Sequence, residues 1–241
     1  SLGAEALHAS SDLDLIVIYD ADGVEMSGGK RALNARIYYA RLTQALVTAM
    51  TAPMAEGRLY EVDMRLRPSG NQGPVATSWQ AFQSYQKGEA WIWEHLALTR
   101  ARVIAGPTGL AADVESFRCA LMGRRDTDKM LGAMSKMRSR IAQAHGATPV
   151  WALKTGAGRL QDIEMIAQLG RLVAAGDARD VGAGLAACVE TGLLDDAGRQ
   201  DLRRAYRLLF PLWVALKLLS RDAMGRDQLG IRAQKVLLRL T

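Results

Sequence analysis

Cysteine is the scarcest informative residue in this 241-residue chain: Cys119 and Cys188 are the only two. Two are too few for a disulfide framework or a cysteine zinc cluster. The three histidines, His8, His95 and His145, lack ligand-like spacing. No apolar run approaches the roughly 20 residues that cross a bilayer; the longest, Leu208 to Leu219, is interrupted by Pro211 and Lys217. The chain opens on Ser1 without a basic segment and apolar run ahead of a cleavage site, so no secretory signal is legible. These absences predict a cytoplasmic protein with no membrane partner. Solenoid repeats and low-complexity segments are lacking as well. The formal charge is +6, yet the arginines recur singly with acidic residues between them. That diffuse pattern suits solvated helix faces and contacts to an anionic substrate, so no nucleic-acid partner is expected.

What is present is apolar mass. At 49% hydrophobic residues, the chain can bury enough surface to offset the entropy of ordering. Residues 12 to 20, rich in β-branched and aromatic side chains, predict a strand. Alternation puts Asp12, Asp14, Ile16 and Ile18 on one face and Leu13, Leu15, Val17 and Tyr19 on the other. A loop over 21 to 30 and a helix over 31 to 51 follow, the helix carrying a stripe of Leu33, Ile37, Ala40, Leu42 and Leu46. A second strand is predicted from Leu59 to Arg67, with Val62, Met64 and Leu66 opposite Glu61, Asp63, Arg65 and Arg67. After a glycine- and proline-containing loop, helices are expected over 78 to 86 and 88 to 101. Beyond about Gly106 the strand signal stops, and helical periodicity recurs near 108–122, 127–145, 160–175, 180–192 and 196–221.

Aspartates at i and i+2 on a strand project from one face, close enough to bracket divalent ions roughly 3.5–4 Å apart. Such pairs suit phosphoryl and nucleotidyl transfer, and hard carboxylates select magnesium or manganese. Asp63 is the candidate third carboxylate, and Arg65 and Arg67 on its face are candidates to neutralise triphosphate charge. A strand with four charged side chains on one face is either a solvent-facing edge or an active-site floor. Spacing leaves both open.

The wording around these residues goes further. Gly3, Leu7 and Ser11-Asp12-Leu13-Asp14-Leu15-Ile16 resemble the nucleotidyltransferase signature of a glycine turn ahead of a paired-aspartate strand, with Ala4 where glycine or serine is usual. Leu59 through Gly70, including Tyr60-Glu61-Val62-Asp63 and Pro68-Ser69-Gly70, and the stretch Glu89 through His95 with Thr99 through Arg102, are similar to the bacterial glutamine synthetase adenylyltransferase family. Lys154 through Gly156, Gly158, Leu160 and Asp162-Ile163-Glu164-Met165 extend the likeness, with Arg159 and Met165 departing from the usual glycine and phenylalanine. The resemblance is to the C-terminal, adenylyl-adding half of that family.

It implies an α+β fold: a polymerase β-like nucleotidyltransferase domain with a small mixed sheet over 1–106, then an all-α helical bundle over 107–241. It implies Asp12, Asp14 and Asp63 as catalytic metal ligands for Mg2+ or Mn2+. Gly3, Ala4, Ser11, Arg65 and Arg67 are the implied nucleotide-binding residues, with ATP as substrate. The implied reaction is AMP transfer to a tyrosine hydroxyl of glutamine synthetase, controlled by glutamine and the PII signalling protein. Because that fold places a strand before the glycine turn, a fragment lacking its first strand and its partner half is expected. Rival readings are the deadenylylating half, a catalytically silent docking module and a template-directed or terminal polymerase.

The remaining features have bland readings beside functional ones. Trp79, Phe82, Tyr85, Trp91 and Trp93 are expected as core anchors rather than an adenine platform. Glu94 and His95 are expected to hydrogen-bond at a helix surface, and Met130, Met134 and Met137 to pack in a bundle. Arg100 and Arg102 either reach phosphate or cover apolar surface. Asp162 and Glu164 are expected in structural roles near a helix start.

Overall fold

The computed structural model describes residues 3–8, 11–58, 60–122, 126–145, 149, 151–175, 177, 179–219, 231 and 235. Two compact units divide the chain: Ser1–Glu94 with Arg102–Phe117, and His95–Ala101 with Arg118–Thr241.

In the first unit the predicted strand over 12–20 breaks into two pieces with different partners. β1 (Leu13–Asp14) pairs in parallel with β3 (Val62–Asp63), whereas β2 (Val17–Tyr19) pairs in parallel with β4 (Ala76–Ser78). The second predicted strand is also shorter than expected, because the chain turns immediately after Asp63. Between β2 and β3 lies α1 (Ala35–Thr51), whose start is capped by the Asn34 side chain accepting from the Arg36 amide at 3.0 Å. Its inward stripe is Tyr39, Thr43, Val47 and Met50, and Tyr19 of β2 stacks on Tyr39 at 4.2 Å. The stripe expected from apolarity is offset from this face: Ile37, Leu42 and Leu46 are exposed. Periodicity scored hydrophobic side chains, whereas the packed face is centred on a threonine and a tyrosine.

A 3-10 turn (Gly70–Gln72) leads to β4, and then α2 (Trp79–Gly88) begins at Ser78, whose hydroxyl accepts from the Ala81 amide. Phe82 is buried and meets Trp79 and Phe117, so the core expectation holds for Trp79 and Phe82. Trp91 and Trp93 are instead exposed, at 62% and 41%. They flank Ile92 at the start of α3 (Ile92–Leu98), where the inward positions go to Glu94, His95 and Leu96. Glu94 and His95 are therefore buried rather than on the helix surface. Glu94 accepts from the Tyr85 hydroxyl and from the Trp91 amide, both at 3.1 Å, the second satisfying a donor at the helix start.

The remaining helices are α4 (Thr108–Leu121), α5 (Thr127–His145), α6 (Leu160–Ala174), α7 (Val181–Glu190) and α8 (Asp196–Leu219). In the second unit α6 and α7 lie unusually close, since a Cβ on Gly184 would fall 2.4 Å from the Ala167 carbonyl oxygen. Ile163, Ala167 and Leu185 form the buried centre of this contact, with Leu202, Tyr206 and Leu209 of α8 packed against it. A second cluster joins Leu153 and Leu212. Met130, Met134 and Met137 lie half-buried on one face of α5. The parallel strands and succeeding helices form the expected α+β architecture. No helix among the described residues is long and apolar enough to cross a membrane.

Candidate active site

Register decides whether the three aspartates can act together. In the β1/β3 pair Asp14 is the direct partner of Asp63, and the ladder continues on both sides through Leu13 N–H to Glu61 O and Leu15 N–H to Asp63 O, each 2.8 Å. Partnered residues on neighbouring strands share a face and sit about 4.8 Å apart. Asp12 and Asp14 are exposed while Leu13 and Leu15 turn inward, so the alternation read from the sequence is present in the fold. All three carboxylates thus belong to one side of one strand pair.

Asp63 is already engaged. Its Oδ1 accepts from the Arg65 amide at 2.8 Å, and its Oδ2 accepts from Arg65 Nε at 2.7 Å and from Arg65 Nη2. The guanidinium holds the Asp63 carboxyl below the usual carboxylate range, hydrogen bonding from Arg65 being the larger cause. Arg65 is raised in turn, chiefly by Asp63, with Asp14 and Asp12 adding to the same field. Arg65 and Arg67 do not continue a charged strand face. Residues 64–67 form a turn, in which Arg67 Nη1 donates to Met64 O at 2.7 Å and Nε to Gly73 O at 3.3 Å. Arg67 staples the loop, while Arg65 covers Asp63.

The loop behind these arginines is tightly built, and sequence reading did not single out its supports. A Cβ on Gly73 would lie 1.9 Å from Pro68 O, so no other residue fits that path. Tyr85 interacts with the Ser69 backbone and donates to Glu94, and burial is the main cause that raises its phenol. The Tyr-Gln and Trp-Glu spacing was visible, but its tie to residue 69 is non-local.

The other expected residues fall as follows. Gly3 and Ala4 lie in a turn with Glu5, which pairs with Arg102 at 2.5 Å. Ser11 closes the loop ahead of β1, its hydroxyl accepting from the His8 amide at 3.0 Å. Arg100 pairs with Glu164 at 3.6 Å, and Asp162 accepts from the Gly158 amide at 2.8 Å and pairs with Arg138. Those contacts give Asp162 and Glu164 structural work. Arg159 donates to Pro149 O and Ala152 O at 2.6 and 2.7 Å, anchoring the segment before α6.

The donor set fits a hard divalent cation in kind: Asp14 in register with Asp63, and Asp12 two residues before Asp14, with Asp12 and Asp14 exposed. Among the described residues no three His, Cys, Asp or Glu side chains are drawn around a single point. Arg65 supplies the positive charge at Asp63 instead.

A short parallel sheet bearing paired aspartates and a third on the adjoining strand, followed by helices, defines an α+β nucleotidyltransferase-like protein. A family model for glutamate-ammonia ligase adenylyltransferase matches residues 1–116, and one for GlnD PII-uridylyltransferase matches residues 122–239. A bifunctional glutamine synthetase adenylyltransferase/adenylyl-removing enzyme of Mesorhizobium japonicum is 42% identical over 245 residues, covering 100% of this chain and 25% of the relative. Proteins of the same description from Rhodopseudomonas palustris and Xanthobacter autotrophicus are 43% and 45% identical, over 99% and 90% of this chain and 25% and 23% of their own lengths. The chain belongs to the glutamate-ammonia ligase adenylyltransferase family. It spans about a quarter of the length of the curated relatives it matches.

Proposed function

We propose that this chain transfers AMP from ATP to a tyrosine hydroxyl of glutamine synthetase, using Asp12, Asp14 and Asp63 with magnesium or manganese. The observation that carries the reading is the direct pairing of Asp14 with Asp63 across parallel strands, one residue pair beyond Leu13 and Val62. The similarity of Tyr60 through Asp63, Pro68 through Gly70 and Glu89 through His95 to the adenylyl-adding half supports this direction of transfer.

In this reading the tyrosine oxygen forms a bond to the α-phosphorus of ATP while the bond from that phosphorus to the bridging oxygen breaks, and pyrophosphate leaves. A divalent cation, when bound, supplies Lewis-acid stabilisation of the charge that builds on the phosphoryl oxygens. Asp12 and Asp14 would hold that cation from the solvent-facing side of β1. Asp63, the partner of Asp14 across the strand pair, would ligate a cation and receive the hydroxyl proton once its carboxylate is free of Arg65. The turn at Gly3 and Ala4, with Ser11 behind it, offers backbone N–H groups to phosphate. Arg65 offers planar donors, and Arg67 shapes the loop that carries it.

Glutamine and the PII signalling protein as regulators, and a cytoplasmic setting, belong to the same proposal. So does a division into a nucleotidyltransferase domain and a helical domain. The change of matching family model between residues 116 and 122 supports a boundary near there, later than the 106 expected from the sequence. A second reading, phosphorolytic removal of AMP, is favoured by the relatives' bifunctional description.

Incubation with labelled ATP, magnesium and unmodified glutamine synthetase tests the proposal. Asp14→Asn is expected to cut labelling by at least about a hundredfold, since a charged metal ligand is lost. Labelling that survives refutes the site. Phosphate-dependent ADP release from modified glutamine synthetase, without labelling of the unmodified form, selects the second reading.

A further inference from the structure

We infer that Arg65 is an exchange switch: it occupies Asp63 until a nucleotide polyphosphate draws its guanidinium away, so the third carboxylate is released to a divalent cation only when nucleotide arrives. The inference rests on the nucleotidyl-transfer reading above. A carboxylate offers about four acceptor positions, and Arg65 takes three of those on Asp63 through its Nε, its Nη2 and its own amide. With those positions filled, Asp63 has little left for a cation, and a guanidinium beside it repels one.

The two arginines of this loop differ in what holds them. Arg67 is tied to two backbone carbonyls, Met64 O and Gly73 O. The Arg65 side chain is 72% exposed, against 16% for Asp63, and among the described residues its side-chain bonds go to that carboxylate. An ion pair with one partner in solvent is weak and exchanges readily. A planar guanidinium binds phosphate as well as carboxylate in a two-donor fork, and a polyphosphate carries more charge than one aspartate. Arg65 lies in the field of Asp12 and Asp14 too, so its departure removes positive charge from the surroundings of all three carboxylates. A cation then becomes the favoured counter-charge. The backbone amide of Arg65 remains on Asp63 Oδ1 throughout, which keeps the carboxylate oriented.

The test measures metal and nucleotide binding separately on the folded chain, comparing wild type with Arg65→Gln and Arg65→Lys. Free Mn2+ is followed by electron paramagnetic resonance without nucleotide, and a fluorescent ATP analogue is titrated in the presence of Mg2+. Arg65→Gln is expected to bind Mn2+ about two- to fivefold more tightly than wild type, the range an exposed ion pair commands, and to bind the nucleotide more weakly. Arg65→Lys, which keeps the charge but not the fork, is expected to fall between them on both measurements. A merely structural Arg65 cannot tighten Mn2+ binding, so an unchanged or weakened Mn2+ affinity in Arg65→Gln overturns the switch. Mn2+ binding that is absent from wild type and variant alike, or that survives Asp14→Asn, overturns the nucleotidyl-transfer reading and the switch with it.

Discussion

Replacing glycine with alanine at two helical positions should move stability in opposite directions, and the geometry says by how much. Gly184 in α7 faces α6 so closely that a Cβ there meets Ala167 O at 2.4 Å and both Ala167 C and Cβ at 2.8 Å. Ordinary carbon contacts lie at about 3.5–4.0 Å, so the helices must part by roughly 1 Å. All three neighbours belong to one residue of a packed helix and cannot swing aside. Overpacking of this kind costs about 1–3 kcal/mol, partly offset by the roughly 1 kcal/mol by which alanine favours helix over glycine. The net expectation for Gly184→Ala is a loss of up to about 2 kcal/mol. Gly132 in α5 is exposed, and no atom of the described residues lies within 4 Å of where a Cβ would stand, so Gly132→Ala gains about 0.5–1 kcal/mol. At about 2–4 °C per kcal/mol for a chain of this size, thermal unfolding by circular dichroism should fall by up to about 8 °C for the first and rise by about 1–4 °C for the second. A Gly184→Ala protein that melts above wild type would refute the close α6–α7 contact.

The remaining predictions concern the site and the two thiols. Asp63 titrates below the usual carboxylate range in the fold, so its pairing contributes stability above the unfolded value near ~3.9, lost as pH falls through the lowered one. The acid limb of the stability–pH profile should therefore flatten in Asp63→Asn, and an unchanged slope would mean that Arg65 does not hold it in solution. Cys188 is buried and its thiol is pushed up to about 11, chiefly by desolvation, whereas Cys119 is exposed. Mild alkylation near neutral pH should label Cys119 alone, with Cys188 reacting only on unfolding; equal rates would contradict the packing of α7. Gly73→Ala should abolish ATP-dependent labelling while leaving the melting of the second unit in place, because the clash with Pro68 O at 1.9 Å is confined to the loop carrying Arg65 and Arg67. Undiminished labelling would show that this loop has no part in the reaction.

How much of this was legible depended on whether the deciding interaction was local. The bounds of α5 match those read from periodicity, and the Asp12/Asp14 face follows directly from alternation, since both need only near neighbours in sequence. β4 was missed: Ala76-Thr77-Ser78 carries almost no strand signal, and its extended form comes from pairing with Val17, Ile18 and Tyr19. The same pairing splits the first strand, because β1 and β2 answer to different partners. Trp91 and Trp93 were expected inside as aromatics at helical spacing, yet the buried positions at the start of α3 go to Glu94, His95 and Leu96. Glu94 accepts there a hydrogen bond from Tyr85, nine residues away, which no periodicity encodes.

The end of β3 and the engagement of Asp63 are one event, and misreading the first concealed the second. Had the strand run on to Arg67, Arg65 would sit about 6.6 Å along the same face, its amide committed to the ladder. Instead the Asp63 side chain accepts that amide, a short-range bond by which aspartate diverts a backbone from extended structure into a turn. The turn brings the Arg65 guanidinium back onto Oδ2 and leaves Arg67 facing the carbonyls of Met64 and Gly73. A pattern that reads as four charges on a strand face therefore resolves into two arginines with different duties. One is fixed in the loop, and one is exposed and, among the described residues, bound to the carboxylate it covers. That asymmetry comes from a single side-chain-to-backbone hydrogen bond, so Asp63→Asn, which retains an acceptor for the amide, should preserve the turn while weakening the hold on the guanidinium.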